Sequence, residues 1–174
     1  MIESDARLFI ALWPGANTAT QIARCRDAWQ WSPTARTQAT ARLHMTLQFI
    51  GNVDRSALVS LQACLGAVEP ISTMLELDRL ALWPNGIAAL CPATVPLSVA
   101  TLHLQLGQVL ANFGRPVERR VFRPHVTLAR QAIGSAAPAM VEPVTWQVDH
   151  HVLVESEHAG GDYRLLWRSV RARG

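Results

Sequence analysis

The run Arg42-Leu43-His44-Met45-Thr46-Leu47-Gln48-Phe49 alternates polar and apolar residues with period two, the pattern of a strand with one face on a core and one face open. The alternation predicts a strand over 42–50, with Arg42, His44, Thr46 and Gln48 on the open face and Leu43, Met45, Leu47 and Phe49 turned inward. A strand over 121–130 repeats it, with Arg123, His125 and Thr127 outward and Val126 and Leu128 inward. Elsewhere the pattern predicts a strand over 7–13 and a helix over 17–30 capped at Asn17 and Thr18, followed by a polar loop over 32–41. Asp54 should cap a helix running to about Val68. Strands over 73–83 and 86–91 should meet at the turn Pro84-Asn85-Gly86. A helix over 97–113 is stopped by Gly114. A loop over 133–138 and strands over 145–155 and 163–170 close the chain. Strand-helix-strand order in each half, with hairpins, predicts an α+β fold: two antiparallel sheets facing each other across a groove, in one domain spanning 1–174.

The two alternating runs carry the candidate chemistry. His-x-Thr-Leu occurs at His44-Met45-Thr46-Leu47 and again at His125-Val126-Thr127-Leu128, each with an arginine two positions earlier, Arg42 and Arg123. Equivalent strands set side by side about a pseudo-twofold axis would place two histidines across one groove. Displacement at phosphorus needs a base for the incoming oxygen and an acid for the leaving one, and imidazole, with an ordinary pKa of about 6.5, can serve as either near neutral pH. Threonine hydroxyls on the same strand face can donate to the non-bridging phosphate oxygens. A single His-x-Thr is more often structural than catalytic; its duplication in matching settings reverses that judgement. Such a pair should give a bell-shaped pH profile with two apparent values near neutrality, and activity that survives chelation.

Nearly the whole chain resembles the two-histidine (2H) phosphoesterase superfamily, and within it the RNA 2′,3′-cyclic phosphodiesterases, also called 2′-5′ RNA ligases. The resemblance rests on the opening strand Arg7-Leu8-Phe9-Ile10-Ala11-Leu12, on Leu43 to Gly51 and Phe122 to Arg130 around the two motifs, and on Leu153-Val154-Glu155-Ser156 followed by Tyr163. It implies a bilobal fold with helices packed outside, and metal-independent hydrolysis of RNA-terminal or nucleoside 2′,3′-cyclic phosphates to 2′-phosphates. In reverse it implies ATP-independent joining of RNA ends through a 2′-5′ bond. By position, His44 would be the proton donor and His125 the proton acceptor, with Thr46 and Thr127 on the phosphate. Arg130 matches an arginine that the family carries just after its second motif. Strand parity puts it on the face opposite His125, so that it reaches the phosphate only if the strand ends or bulges. Tyr163, after Gly160-Gly161, is the aromatic expected to meet a base. The expected partner is an RNA or oligonucleotide end bearing a cyclic phosphate, with no cofactor, no metal and the chain a monomer.

Composition adds less. With 174 residues, 49% hydrophobic, the chain can bury a substantial core. No apolar run approaches the roughly 20 residues of a membrane span, and the opening Met1-Ile2-Glu3-Ser4-Asp5 lacks the form of an export signal, so a cytoplasmic location is expected. Cys25, Cys64 and Cys91 form no spaced pair and read as buried free thiols. All 16 basic residues are arginine, and the net charge of +3 suits an anionic ligand weakly. His103 reads as a solvated or core histidine, His150 and His151 as strand neighbours on opposite faces, and the six tryptophans as packing residues. The competing functions are a metal-dependent phosphoesterase, a non-catalytic RNA-binding module, and the same chemistry on a mononucleotide or ADP-ribose cyclic phosphate.

Overall fold

A computed structural model describes residues 5–118, 120–156 and 162–171. The strands are β1 (Asp5–Leu12), β2 (Arg36–Thr37), β3 (Met45–Asp54), β4 (Thr73–Leu77), β5 (Arg79–Leu82), β6 (Ala88–Cys91), β7 (Val126–Arg130), β8 (Val144–Val148), β9 (Val152–Ser156) and β10 (Tyr163–Arg168). Three helices join them: α1 (Ala16–Asp27), α2 (Leu58–Leu65) and α3 (Leu97–Asn112). The class is α+β with two antiparallel sheets, but those sheets are not the two walls of the groove. Seven strands run β10-β9-β1-β3-β7-β6-β5 in one continuous sheet, β2 adds to β7, and β4-β8 form a separate pair. The halves of the large sheet meet where β3 touches β7 at a single residue pair, Met45 and Val126. These residues directly follow the two motif histidines, so the duplicated motif sits on the seam.

Two expected strands are each divided. The stretch over 73–83 becomes β4 and β5, and that over 145–155 becomes β8 and β9, each pair shared between the two sheets. Alternation describes which face is buried, and a chain that turns from one sheet to the other keeps its hydrophobic pattern across the break. His150 and His151 therefore lie in a link between strands, and neither reaches the groove. The motif strands also start later than the pattern suggests, since Thr40–Arg42 is a 3-10 turn and ordered pairing begins just after each histidine. Gly15, and not Asn17 or Thr18, occupies the cap of α1, without a side-chain hydrogen bond. Asp54 does cap the turn before α2, its carboxylate accepting from the Ser56 amide. Gly86 and Gly114 take the positive φ values, +81° and +79°, that their turn and helix-stop positions require.

Hydrophobic residues of β1, β3, β7 and the three helices merge into one core, with Leu8, Ile10, Leu43, Met45, Leu90 and Leu102 fully buried. Helix α3 packs behind β3 and α1 behind β7 and β8, leaving the opposite face of the seam open. Among the described residues no helix is long and apolar enough to cross a membrane. Cys25 and Cys91 are buried free thiols, while Cys64 is partly exposed.

Candidate active site

Each motif strand carries a bulge at the same place, and the two bulges decide which side chains reach the groove. Against β1, Thr46 pairs with Ala11 and Gln48 with Ile10, so Leu47 is the extra residue. Against β6, Thr127 pairs with Ala89 and Ala129 with Ala88, so Leu128 is the extra residue. A bulged residue leaves the ladder, and its backbone groups need other partners. The Leu47 carbonyl accepts from His103 Nδ1 of α3 at 2.7 Å, and the Leu128 carbonyl accepts from the Gln38 amide at 2.8 Å. His103 is thus neither solvated nor merely packed; it satisfies the first bulge.

The parity of each strand reverses beyond its bulge. Gln48, expected on the open face, is buried, its Nε2 donating to the His103 carbonyl at 2.8 Å, and Phe49, expected in the core, is exposed and lines the groove. In the second copy the same reversal delivers Arg130 to the groove, as the resemblance requires of it. Phe49 and Arg130 occupy the same position relative to their histidines, so one half of the site receives an aromatic ring and the other a guanidinium.

A cavity of about 240 Å³ lies over the seam, lined by His44, Thr46, Phe49, His125, Thr127, Arg130 and Tyr163, with Gln38, Arg42 and Ile87 at its edges. All six candidate residues are therefore brought together. The histidines are held identically: His44 Nδ1 donates to the Arg42 carbonyl and His125 Nδ1 to the Arg123 carbonyl, each at 2.7 Å. A carbonyl only accepts, so the proton of each neutral ring sits on Nδ1, and Nε2 is left to the groove. The arginine that precedes each histidine acts on it through its backbone. The Arg42 side chain instead lies over the Tyr163 ring, 4.4 Å from its centre.

Aromatic rings fix both imidazoles. Trp13 stacks on His44 at 5.2 Å and 4°, Phe9 packs against it at 4.9 Å, and Tyr163 meets it edge-on at 5.2 Å. Trp83 meets His125 edge-on at 4.6 Å. Reading the tryptophans as packing residues missed this, although the sequence holds a second repeat that marks it: Ala11-Leu12-Trp13-Pro14 and Ala81-Leu82-Trp83-Pro84. Gly160-Gly161, which precede Tyr163, lie outside the described residues. Among the described residues, no three His, Cys, Asp or Glu side chains cluster to hold a metal ion.

The His44 pKa is lowered to about 4, chiefly by burial among these rings; the Arg42 carbonyl opposes the shift and the His125, Arg130 and Arg42 charges add to it. Burial lowers His125 too, with Arg130 adding to it and the Arg123 carbonyl opposing. Burial thus holds both histidines of the free protein below the ordinary imidazole value, which moves the expected bell-shaped profile toward acid. The sign follows. At pH 7 both rings are neutral, acidification populates the form with one proton, and further acidification removes the base. The optimum of kcat/KM, which reports the free protein, is expected below pH 6.5, and that of kcat higher, because a bound phosphate anion favours imidazolium. Parallel pH profiles of the two constants test this; a kcat/KM optimum at pH 7.5 or above would contradict it.

The paired motifs, the seam and the groove define a two-histidine phosphoesterase site. A family model of the 2′-5′ RNA ligase superfamily matches residues 14–160, and the chain belongs to that superfamily. E. coli LigT, in a crystal structure with 3′-AMP, is 27% identical over 97% of this chain and 99% of its own, with a TM-score of 0.81. TT0787 of Thermus thermophilus, 22% identical over 94% of this chain and 96% of its own, shares the fold at a TM-score of 0.75. The MHV ns2 PDE domain does so at 0.56, with 12% identity over 87% of this chain and 99% of its own. No curated protein sequence matches the chain.

Proposed function

We propose that the protein hydrolyses RNA-terminal 2′,3′-cyclic phosphates to 2′-phosphomonoesters in the cytoplasm, as one domain and without a metal ion, and joins RNA ends through a 2′-5′ bond when a hydroxyl takes the place of water. The observation that carries this reading is the equivalent tethering of His44 and His125 by a backbone carbonyl on Nδ1, which leaves two Nε2 atoms to one groove. His125 takes the proton of the attacking water, and His44 donates one to the departing 3′ oxygen. Thr46 and Thr127 donate hydroxyl hydrogen bonds to the non-bridging oxygens, and Arg130 offsets their charge. Tyr163 and Phe49 give the His44 side an aromatic wall for the nucleoside, since any base presents a π face. Structures of E. coli LigT with 3′-AMP and with phosphate are in keeping with a nucleotide ligand of this kind.

Incubation with a panel of 2′,3′-cyclic phosphates, from mononucleotides to a tRNA half, in excess chelator tests the reading. Formation of the 2′-phosphomonoester is expected, fastest on RNA ends. Exclusive 3′-phosphomonoester, or activity that vanishes on chelation and returns with a divalent ion, would overturn it. Tight RNA binding with no turnover on any member would make the protein a binding module instead.

A further inference from the structure

Beside Trp83, whose ring meets His125, lies a second cavity of about 580 Å³, within the size range of small-molecule sites. Arg79, Trp83, Cys91, Val95, Phe122 and Arg123 contribute to its lining, and among the described residues no carboxylate does. Neither Arg79 nor Arg123 is ion-paired with a carboxylate among the described residues. Two guanidiniums with no carboxylate partner among the described residues, beside an indole and a phenyl ring, are the groups that hold a single nucleic-acid strand: cations for the phosphates, rings for the bases. The cavity is tied to the catalytic groove at His125. Trp83 touches that imidazole, and Arg123, on the cavity lining, supplies the carbonyl that holds it.

We infer that this cavity is an acceptor-strand subsite, taking the first nucleotides of an RNA whose 5′-hydroxyl replaces water as the attacking group. The inference rests on the assignment of His125 as the base. In-line displacement puts the attacking oxygen opposite the leaving one. The aromatic cluster around His44 holds the nucleoside that carries the cyclic phosphate, so a second strand enters from the His125 side. The step balances without a co-reactant. The 5′ oxygen bonds to phosphorus and gives its proton to His125 Nε2, the bond from phosphorus to the 3′ oxygen breaks, and that oxygen takes a proton from His44. A 2′-5′ phosphodiester and a free 3′-hydroxyl result. Water needs none of this cavity, so hydrolysis and joining respond differently to its loss.

Two variants test the subsite. Arg79→Gln removes an exposed cation, and Val95→Glu sets a carboxylate at the rim, where the valine is 38% exposed. Each is assayed on one cyclic-phosphate oligonucleotide with a saturable 5′-hydroxyl oligonucleotide, measuring 2′-phosphate and 2′-5′ product together. Hydrolysis should stay at the wild-type rate while the ratio of joining to hydrolysis falls on the order of tenfold, through a raised KM for the acceptor strand. The salt dependence of that KM should also lose a slope of about 0.7 in Arg79→Gln, the share of one single-strand phosphate contact. An unchanged ratio in both variants, or a wild-type protein that hydrolyses but never joins at saturating acceptor, overturns the subsite. Absence of hydrolysis in the wild type would instead overturn the phosphodiesterase reading on which it stands.

Discussion

Substitution of His44 or His125 by alanine is expected to lower kcat/KM by about 10²- to 10⁴-fold, the usual worth of a positioned proton donor or acceptor. The two rings are oriented by backbone carbonyls and packed against Trp13 and Trp83, so removal of either takes away a proton-transfer group already in place. In the proposed reaction acid and base act in one displacement, so the double variant should be only slightly worse than the poorer single one. His44 fills space between Phe9, Trp13 and Tyr163, and alanine there leaves a gap; His44→Gln retains more of the volume and separates lost chemistry from lost packing. Steady-state kinetics beside thermal melting provide the check. Near-normal turnover in any of these variants, with normal melting, would remove the histidines from the mechanism.

The second largest effect is expected at the threonines. Thr46 and Thr127 are half-buried on the groove side of β3 and β7, and antiparallel register about Met45 and Val126 sets each opposite the other copy's histidine. Valine keeps the β-branched shape that the strand accepts and removes only the hydroxyl. A hydrogen bond to a charged oxygen contributes about 1.5–3 kcal/mol, so each Thr→Val variant should lose on the order of 10- to 150-fold in kcat/KM. Inorganic phosphate should inhibit it correspondingly less. If both variants bind phosphate and turn over as the wild type does, the hydroxyls do not hold the phosphate.

The sequence alone determined the class of the fold and the position of the candidate site, because both are written in local patterns. Period-two alternation around His44 and His125 marked two strands, and a repeated tetrapeptide marked them as equivalent. Proline, asparagine and glycine at 84–86 marked the hairpin between β5 and β6, where the Gly86 amide donates to the Trp83 carbonyl at 2.9 Å. The repeated Ala-Leu-Trp-Pro is equally local, but it does not by itself set Trp13 and Trp83 against the histidines.

The tertiary structure decided what depends on register. Bulges at Leu47 and Leu128 arise from pairing with β1 and β6 and from partners as remote in sequence as His103, and no local pattern encodes them. They alone turned Gln48 inward and Phe49 and Arg130 toward the groove. The seam at Met45 and Val126 and the exchange of strands between sheets are likewise contacts between distant segments. So is the lowered pKa of His44, since burial among Phe9, Trp13 and Tyr163 is a property of the packed molecule and not of any short stretch of chain.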